Sequence, residues 1–341
     1  MASRQIDRRS FLQVAGGAGI AGLAGCLSGD VEAVSIGIPG DSSTTGQSTQ
    51  ALQSVVQSES ESIRFDAEDS GGDPASIRLY NNGEIDGYSA SNFISTNALN
   101  DVEPFHEDPV DGIAYQGFQI GVLELHWLAL DGSGIETTDD LLDDDITVWM
   151  LPPGWGLRQL SNTVHESIGI RDELETNEID ADTGDIAGRV DEGDVDALIS
   201  YGANGVNLPG WATEVDARED LYAVEATEEF REGAADAEGV DTGTVEAYGY
   251  DQDLDADEVF TWRETFQFFF SEDMSADVAY EVAEISHEHW EDARDAQEAY
   301  PDHSELDTMT SAYMEDQPIH PGVADFLEDQ GAWDDSWTRG E

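Results

Sequence analysis

Chemistry gathers in this sequence at three short loops: Asp41-Ser42-Ser43-Thr44-Thr45, Gly71-Gly72-Asp73 and Pro153-Gly154-Trp155-Gly156. Each stands between an apolar run of strand character and a helical pattern, so each falls at a helix start. A helix start carries unpaired N–H groups and partial positive charge, and can hold a carboxylate without a basic side chain. Gly154 and Gly156 let the backbone approach a ligand closely, and Trp155 between them supplies an apolar wall. Arg158, in the first turn of the helix that follows, either meets a ligand carboxylate or pairs with one of many neighbouring acids. Asp41 either binds a ligand amine, caps its helix or belongs to an acidic surface. Ser91 and Asn92 end one strand, and Tyr201, Gly202 and Asn204 follow another, so both groups fall at the sheet edge where open α/β sheets bind ligands. The same residue types also suit plain turns. Trp211 either lines that space or packs as core.

The remaining candidates read blandly. His287 and His289 are two apart on a helical pattern, about 200° around the axis, which is poor geometry for a shared metal. The acidic runs DDLLDDD and DQDLDADE lack the central glycine and terminal glutamate of a calcium loop and read as solvated faces. No metal and no cofactor is expected. No nucleophile, base and orienting group stand together, no lysine is present for Schiff-base chemistry, and the one cysteine is Cys26.

The charge is extreme. Thirteen cations, all arginine, face 76 acids for a net charge of -63 over 341 residues. Yet 39% hydrophobic content with 8 Trp, 10 Tyr and 12 Phe is enough to build a large core, so the chain is globular with an acidic surface. Molar salt screens charges beyond roughly 3 Å, which points to a halophile's brine. Nucleic acid and anionic lipid surfaces are excluded as partners by the same charge.

The elements that must position these loops recur in order. Val34–Ile38, Ser62–Asp69 and Ile85–Ser91 read as strands, separated by helices at Gln47–Gln57 and after Asp73-Pro74, the second stopped by Gly83. Residues 146–201 repeat the plan: a strand at Ile146–Leu151, a helix at Leu157–Ile168 closed by Gly169, then a helix, Gly193 and a strand. Gly83-Glu84-Ile85-Asp86 and Gly193-Asp194-Val195-Asp196 are matching turns 110 residues apart. Gly117–Gly132 and Val259–Phe270 are long apolar runs suited to strands crossing between two lobes, which implies a hinge and a cleft. Helices are expected at about Ser275–Ala299 and at Pro321–Gln330. The expected organisation is a first lobe of residues 34–125 plus 255–341 and a second of residues 126–254.

The segment Met1–Asp30 has arginines at 4, 8 and 9, an apolar stretch at Phe11–Leu23 and then Ala24-Gly25-Cys26. DRRSFLQ resembles a twin-arginine export signal, and LAGC resembles the lipobox whose cysteine is lipidated. Cleavage would remove residues 1–25 and leave 26–33 as a tether on the outer membrane face; the alternative is an uncut signal anchor. Past this segment the chain resembles the TAXI-type solute receptors of TRAP transporters. The resemblance runs from the opening strand-loop-helix through GGD, GEID, LPPGWGLRQL and GDVDALISYGAN to IHPGVADFLEDQGAW, and so covers nearly all of the mature chain. It implies an α/β, periplasmic-binding-protein type II-like fold of two lobes. It further implies extracytoplasmic capture of a small organic solute, of carboxylate or amino-acid class, for a TRAP permease membrane subunit. One departure stands out: Thr44 and Thr45 occupy the loop where the family carries two tyrosines, so substrate identity does not transfer. An ABC-importer receptor is the alternative, and an enzyme on the same two-lobed fold the more distant one.

Overall fold

The computed structural model describes residues 31–41 and 43–341; the expected export signal at residues 1–25, Cys26 and Ser42 lie outside the described residues. The first half is β1 (Glu32–Ile38), α1 (Thr44–Glu59), β2 (Ile63–Asp69), α2 (Asp73–Asn81), β3 (Gly87–Ser91) and α3 (Asn92–Leu99). A long strand β4 (Tyr115–Leu130) leads to the second half: β5 (Val148–Trp149), α4 (Gly156–Ile168), α5 (Arg171–Thr176), α6 (Ile186–Asp191), β6 (Ala197–Ala203), α7 (Gly210–Asp216), β7 (Leu221–Ala223), α8 (Glu228–Ala235) and β8 (Asp241–Glu246). A second long strand, β9 (Glu258–Phe270), returns the chain to α9 (Ala276–Glu288), α10 (Trp290–Ala296), α11 (Leu306–Thr310) and α12 (Pro321–Gln330).

The nine strands among the described residues form one sheet in the order β2-β1-β3-β9-β4-β6-β5, with β7 on β4 and β8 on β9. β1 pairs in parallel with β2 and β3, and β5 with β6. The joints between these parallel groups are antiparallel: β3 on Phe266–Phe270 of β9, and β6 on Leu123–Ala129 of β4. β4 and β9 pair with each other from Tyr115↔Phe270 to Leu125↔Trp262, with irregularities near Gly117 and Ile120. This is a two-lobed α/β fold whose lobes share two continuous strands. The two crossing strands expected from the apolar runs are these.

The alternation of β9 shows how one strand serves both lobes. Phe266, Phe268 and Phe270 join Phe65, Phe118 and the α1, α9 and α12 side chains in one core. Trp262, on the same strand face by parity, is buried instead under α4, where its indole N–H donates to Ser161 at 3.1 Å. Phe269, on the opposite face, stacks on Tyr88 at 5.0 Å. Between the stretches covered by the two lobes lies residue 264.

The matched glycine turns are matched in structure. Gly83 and Gly193 both have left-handed φ, 70° and 73°. Each is followed by an N–H (Glu84, Asp194) that bonds back to the carbonyl of Leu79 or Arg189 at 3.0 Å. Asp86 then clamps the first strand of its half: its N–H donates to Ser35 O and its carboxylate accepts Ser35 N–H, both at 2.8 Å. Asp196 does the same to Thr147, again at 2.8 Å twice. The second half lacks a counterpart of β2 except for a parallel bridge, Val148↔Glu178.

Two expectations on element length need correction. The strand at 146–151 is reduced to Val148–Trp149, because it pairs with β6 only at those two residues, has a single bridge to Glu178 on its other side, and turns into left-handed backbone at Leu151, φ 70°. The helix at 275–299 breaks at His289, whose φ of -118° ends α9 and starts α10, redirecting α10 onto α1. Replacing Asp86 or Asp196 by Ala should each lower stability by about 1 kcal/mol, because backbone N–H groups at the first strand of each half lose a charged acceptor. Denaturant unfolding in molar KCl checks this, and the double variant should be additive since the two clamps sit in different halves.

Candidate functional site

The cleft follows from the register of β9. Glu264 and the edge of Phe266 line a gap between the stretches packed under the two lobes, and the N-terminal ends of α2 and α4 close on it from opposite sides. The resulting cavity, about 590 Å³, is lined by Gly72, Asp73, Gly154, Trp155, Gly156 and Leu157, by the two β9 side chains, and by Pro39, Pro74, Ile94, Glu103, Pro104 and Gln159. That size suits a small organic molecule. A second cavity of about 500 Å³ lies on the opposite face of β9, beside Asn92, Arg263 and Thr265, where Arg263 pairs with Asp241 at 3.4 Å. The first cavity is the better candidate because two helix starts and two buried carboxyls converge on it.

α4 opens on the cavity without a cap. Its N-cap residue is Trp155, which offers no side-chain acceptor, and the N–H groups of Gly156, Leu157 and Arg158 find none among the described residues. Gly154 at φ 87° allows the tight turn before it. Trp155 is 38% exposed, a large aromatic at the rim. α2 begins at Asp73 with Pro74 next, after Gly72 at φ 134°, which only glycine adopts readily.

Asp73 and Glu264 are the acids of the floor, 8% and 5% exposed. The Asp73 carboxylate accepts Ser91 N–H at 2.9 Å, while the Ser91 hydroxyl caps α3 by accepting Ile94 N–H at 3.2 Å. Burial pushes the Asp73 carboxyl up to about 6, opposed by the Ser91 bonds. Burial pushes Glu264 up to about 8, the charge of Asp73 adds to this, and the nearby Ser91 hydroxyl tempers it. Among the described residues lining the cavity there is no arginine, lysine or histidine. Glu264 was not legible as a site residue, although a signal existed: along Phe260, Trp262, Glu264, Phe266, Phe268 and Phe270 one acid interrupts an aromatic alternation.

The other expected residues are distributed as follows. Arg158 lies away from the cavity, 6% exposed, with its guanidinium donating to Leu151 O at 2.8 Å and Met150 O at 3.3 Å and pairing closely with Glu178, which Arg171 also approaches at 3.7 Å. Of its two readings the structure displays the ion pair, and that pair braces the turn at Leu151 from which the Pro153–Gly156 loop springs. Pro153 is exposed on that loop. At the start of α1, Ser43 caps the helix, accepting Gly46 N–H at 3.0 Å, and exposed Asp41 accepts from Gln50 at 2.7 Å. Thr44 is half-buried, and buried Thr45 receives Thr49's hydroxyl on its carbonyl at 3.0 Å. Asn92 ties Ala312 O, at 2.7 Å, to Gln267, at 2.8 Å.

Tyr201 and Trp211 meet edge to face at 6.0 Å, and Trp211 meets Trp149 at 5.0 Å, an aromatic cluster within the second half. Gly202 lies under the Tyr248 ring, where a Cβ would come within 2.5 Å of ring atoms. Asn204 accepts Val122 N–H at 2.6 Å and also donates to Ala299 O. His287 bonds the His303 carbonyl at 2.6 Å, while His289 faces Asp292 at 3.3 Å, so the two diverge. No group of three metal-ligating side chains occurs among the described residues.

The fold and the cavity together define a two-lobed α/β protein with a cavity between its lobes. The chain belongs to the NMT1-like family, whose model matches residues 44–331. No curated protein matches it. Among solved structures it is similar to a TctC solute binding protein from Polaromonas, at 10% identity and a TM-score of 0.46, covering 82% of this chain and 89% of that one. It is also similar to the periplasmic aliphatic sulphonate binding protein SsuA from Escherichia coli, at 13% identity and a TM-score of 0.39, covering 88% and 90%.

Two outcomes follow from this geometry. Arg158→Ala leaves Glu178 buried with only a distant partner and should destabilise by about 3 kcal/mol in denaturant unfolding. For Glu264, the folded pKa is raised, so its favourable share is present below the ordinary glutamate value of 4.5 and is lost as pH rises through about 8. Glu264→Gln should therefore be more stable than the parent at pH 9 than at pH 5, by up to about 4 kcal/mol, as read from unfolding curves at the two pH values.

Proposed function

We propose that this chain is an extracytoplasmic solute receptor that captures a small organic molecule between its lobes and delivers it to a membrane transporter of the TRAP type. The observation that carries the reading is the cavity itself: two β9 side chains and two helix starts, contributed by both halves of the chain, surround a space sized for a small solute. Membership of the NMT1-like family supports it. The TAXI subtype rests on the order of loop motifs along the sequence, and residues 34–125 plus 255–341 and 126–254 are the lobes we assign to it. The three free N–H groups at the start of α4 support a carboxylate on the solute, held by backbone rather than by Arg158.

Attachment by a lipid on Cys26 and export by the twin-arginine route belong to the same reading. Among the described residues no helix is long and apolar enough to cross a membrane. Catalysis is not part of this reading.

A thermal-shift panel of carboxylates, amino acids, amines and neutral metabolites in molar KCl tests the reading, followed by mass spectrometry of any molecule retained through purification. Saturable stabilisation without turnover is expected. Conversion of a stabilising compound into product would replace the receptor by an enzyme. Trp155→Ala should weaken the compound that binds by about 1–2 kcal/mol, measured by calorimetry, because a rim aromatic is removed.

A further inference from the structure

We propose that the cavity recognises its solute through a positively charged nitrogen, a protonated amine, seated between the carboxylates of Asp73 and Glu264. This rests on the receptor reading and narrows it to a solute class.

The first support is the charge of the lining. Asp73 comes from α2, Glu103 from the loop after α3 and Glu264 from β9, and no cation among the described residues lines the cavity. Surface acids elsewhere in the chain have water and salt around them, but Glu264 is 5% exposed. The second support is the state of Glu264 itself. Its side chain faces the cavity, forms no ion pair among the described residues and accepts no backbone N–H; the Ser91 hydroxyl, which accepts Ile94 N–H at the α3 cap, has only its own neutral O–H to offer and supplies no positive charge. A carboxyl in that position lacks a counter-charge that a ligand can supply. The third support is the walls. Trp155, Leu157, Phe266 and Ile94 surround the acids with apolar surface, which fits an organic cation with a hydrocarbon body better than a bare metal ion. The exposed indole of Trp155 adds a face that attracts positive charge.

Binding on these terms exchanges charge for charge. In the free protein burial holds protons on the two carboxyls above the ordinary carboxylate range. An arriving ammonium supplies the missing positive charge, and the displaced protons leave to solvent. The other titratable groups near the pair are Glu103 and the phenols of Tyr88 and Tyr201, both phenols pushed up from their ordinary value by burial, so they stay neutral across the range concerned. Affinity for an amine should therefore rise between pH 6 and 8. A carboxylate on the same solute would sit at the open start of α4, so the two charges of one small molecule have separate seats.

Three probes of one shape separate the possibilities: 2-phenylethylamine, phenylalanine and 3-phenylpropanoate carry a positive charge, both charges and a negative charge. Calorimetry on the purified chain in molar KCl at pH 8 should show saturable binding of the first two, and binding of the third weaker by about tenfold or more. Glu264→Gln should weaken the amine by about tenfold and flatten the pH dependence, with Asp73→Asn as the second variant and the unfolding curve of each as the check on folding. Equal or tighter binding of 3-phenylpropanoate, or an unchanged amine affinity in Glu264→Gln, overturns the cation seat and leaves the receptor reading standing. Displacement of the amine by calcium chloride reassigns the seat to a metal ion. If none of the three probes binds, the cation seat is rejected, and the metabolite panel decides the receptor reading by itself.

Discussion

The antiparallel pairing of β4 with β9 is the constraint on which the rest depends. Two parallel α/β units could each bury one core, but nothing in either unit would orient it toward the other. By running through both, the paired strands convert two sheets into one and fix which helix starts face each other across the gap. The same pairing sets the parity of β9, so Phe268 falls under one lobe, Trp262 under the other, and Glu264 in the gap between them. A shift of one residue would put Arg263 and Thr265 in the cleft and send the aromatic run to the wrong core. The stacked rings of Phe65, Phe118 and Phe268, 5.5 and 5.6 Å apart, make that register costly to lose.

Charge is spent unevenly across this molecule. With no lysine and 13 arginines against 76 acids, most carboxylates have no cation to meet and must face water and salt. The described arginines concentrate where structure needs them: Arg158 and Arg171 on Glu178 behind the α4 loop, Arg218 on Asp191 and Glu214, Arg339 on Asp325 and Glu328 at the C-terminal helix. Arg78 and Arg231 lie over the rings of Phe105 and Phe260 at 5.0 and 4.8 Å. None lines the cleft. Asp73 and Glu264 are thus buried with no cation beside them, whereas the buried side chain of Glu178 has two arginines, and a buried acid without a counter-charge is the kind of local inconsistency that marks binding sites.

Much of the architecture was legible in the sequence because the signals involved are local. Glycine stops, a proline at a helix start and apolar runs of the right length located β1 to β3, α2, α4, β4, β9 and α12 within a few residues. The paired turns at Gly83 and Gly193 were legible for the same reason, and the structure adds that both end in an aspartate clamp. What escaped was tertiary. Nothing near Arg158 indicates that Glu178, twenty residues on, would claim it. The pattern around His289 continues a helix, and only packing on α1 breaks it. Glu264 was visible as an interruption in an aromatic alternation, but its meaning required knowing that two lobes cover either side of it and neither covers the middle.

Asn204 deserves a different description from the one its position invited. It follows the last residue of β6, at φ 52°, with its own N–H on Val122 O and its side chain spanning from Val122 N–H to Ala299 O. One small side chain thereby holds the edge of the second lobe, the midpoint of a shared strand and the C-terminal segment of the first lobe. Moving either β4 or the Ala299 segment away from β6 breaks a hydrogen bond to this side chain. Asn204 is therefore a pin through three segments, set at Val122, one residue along β4 from Leu123, the strand partner of Glu264 on the cleft floor.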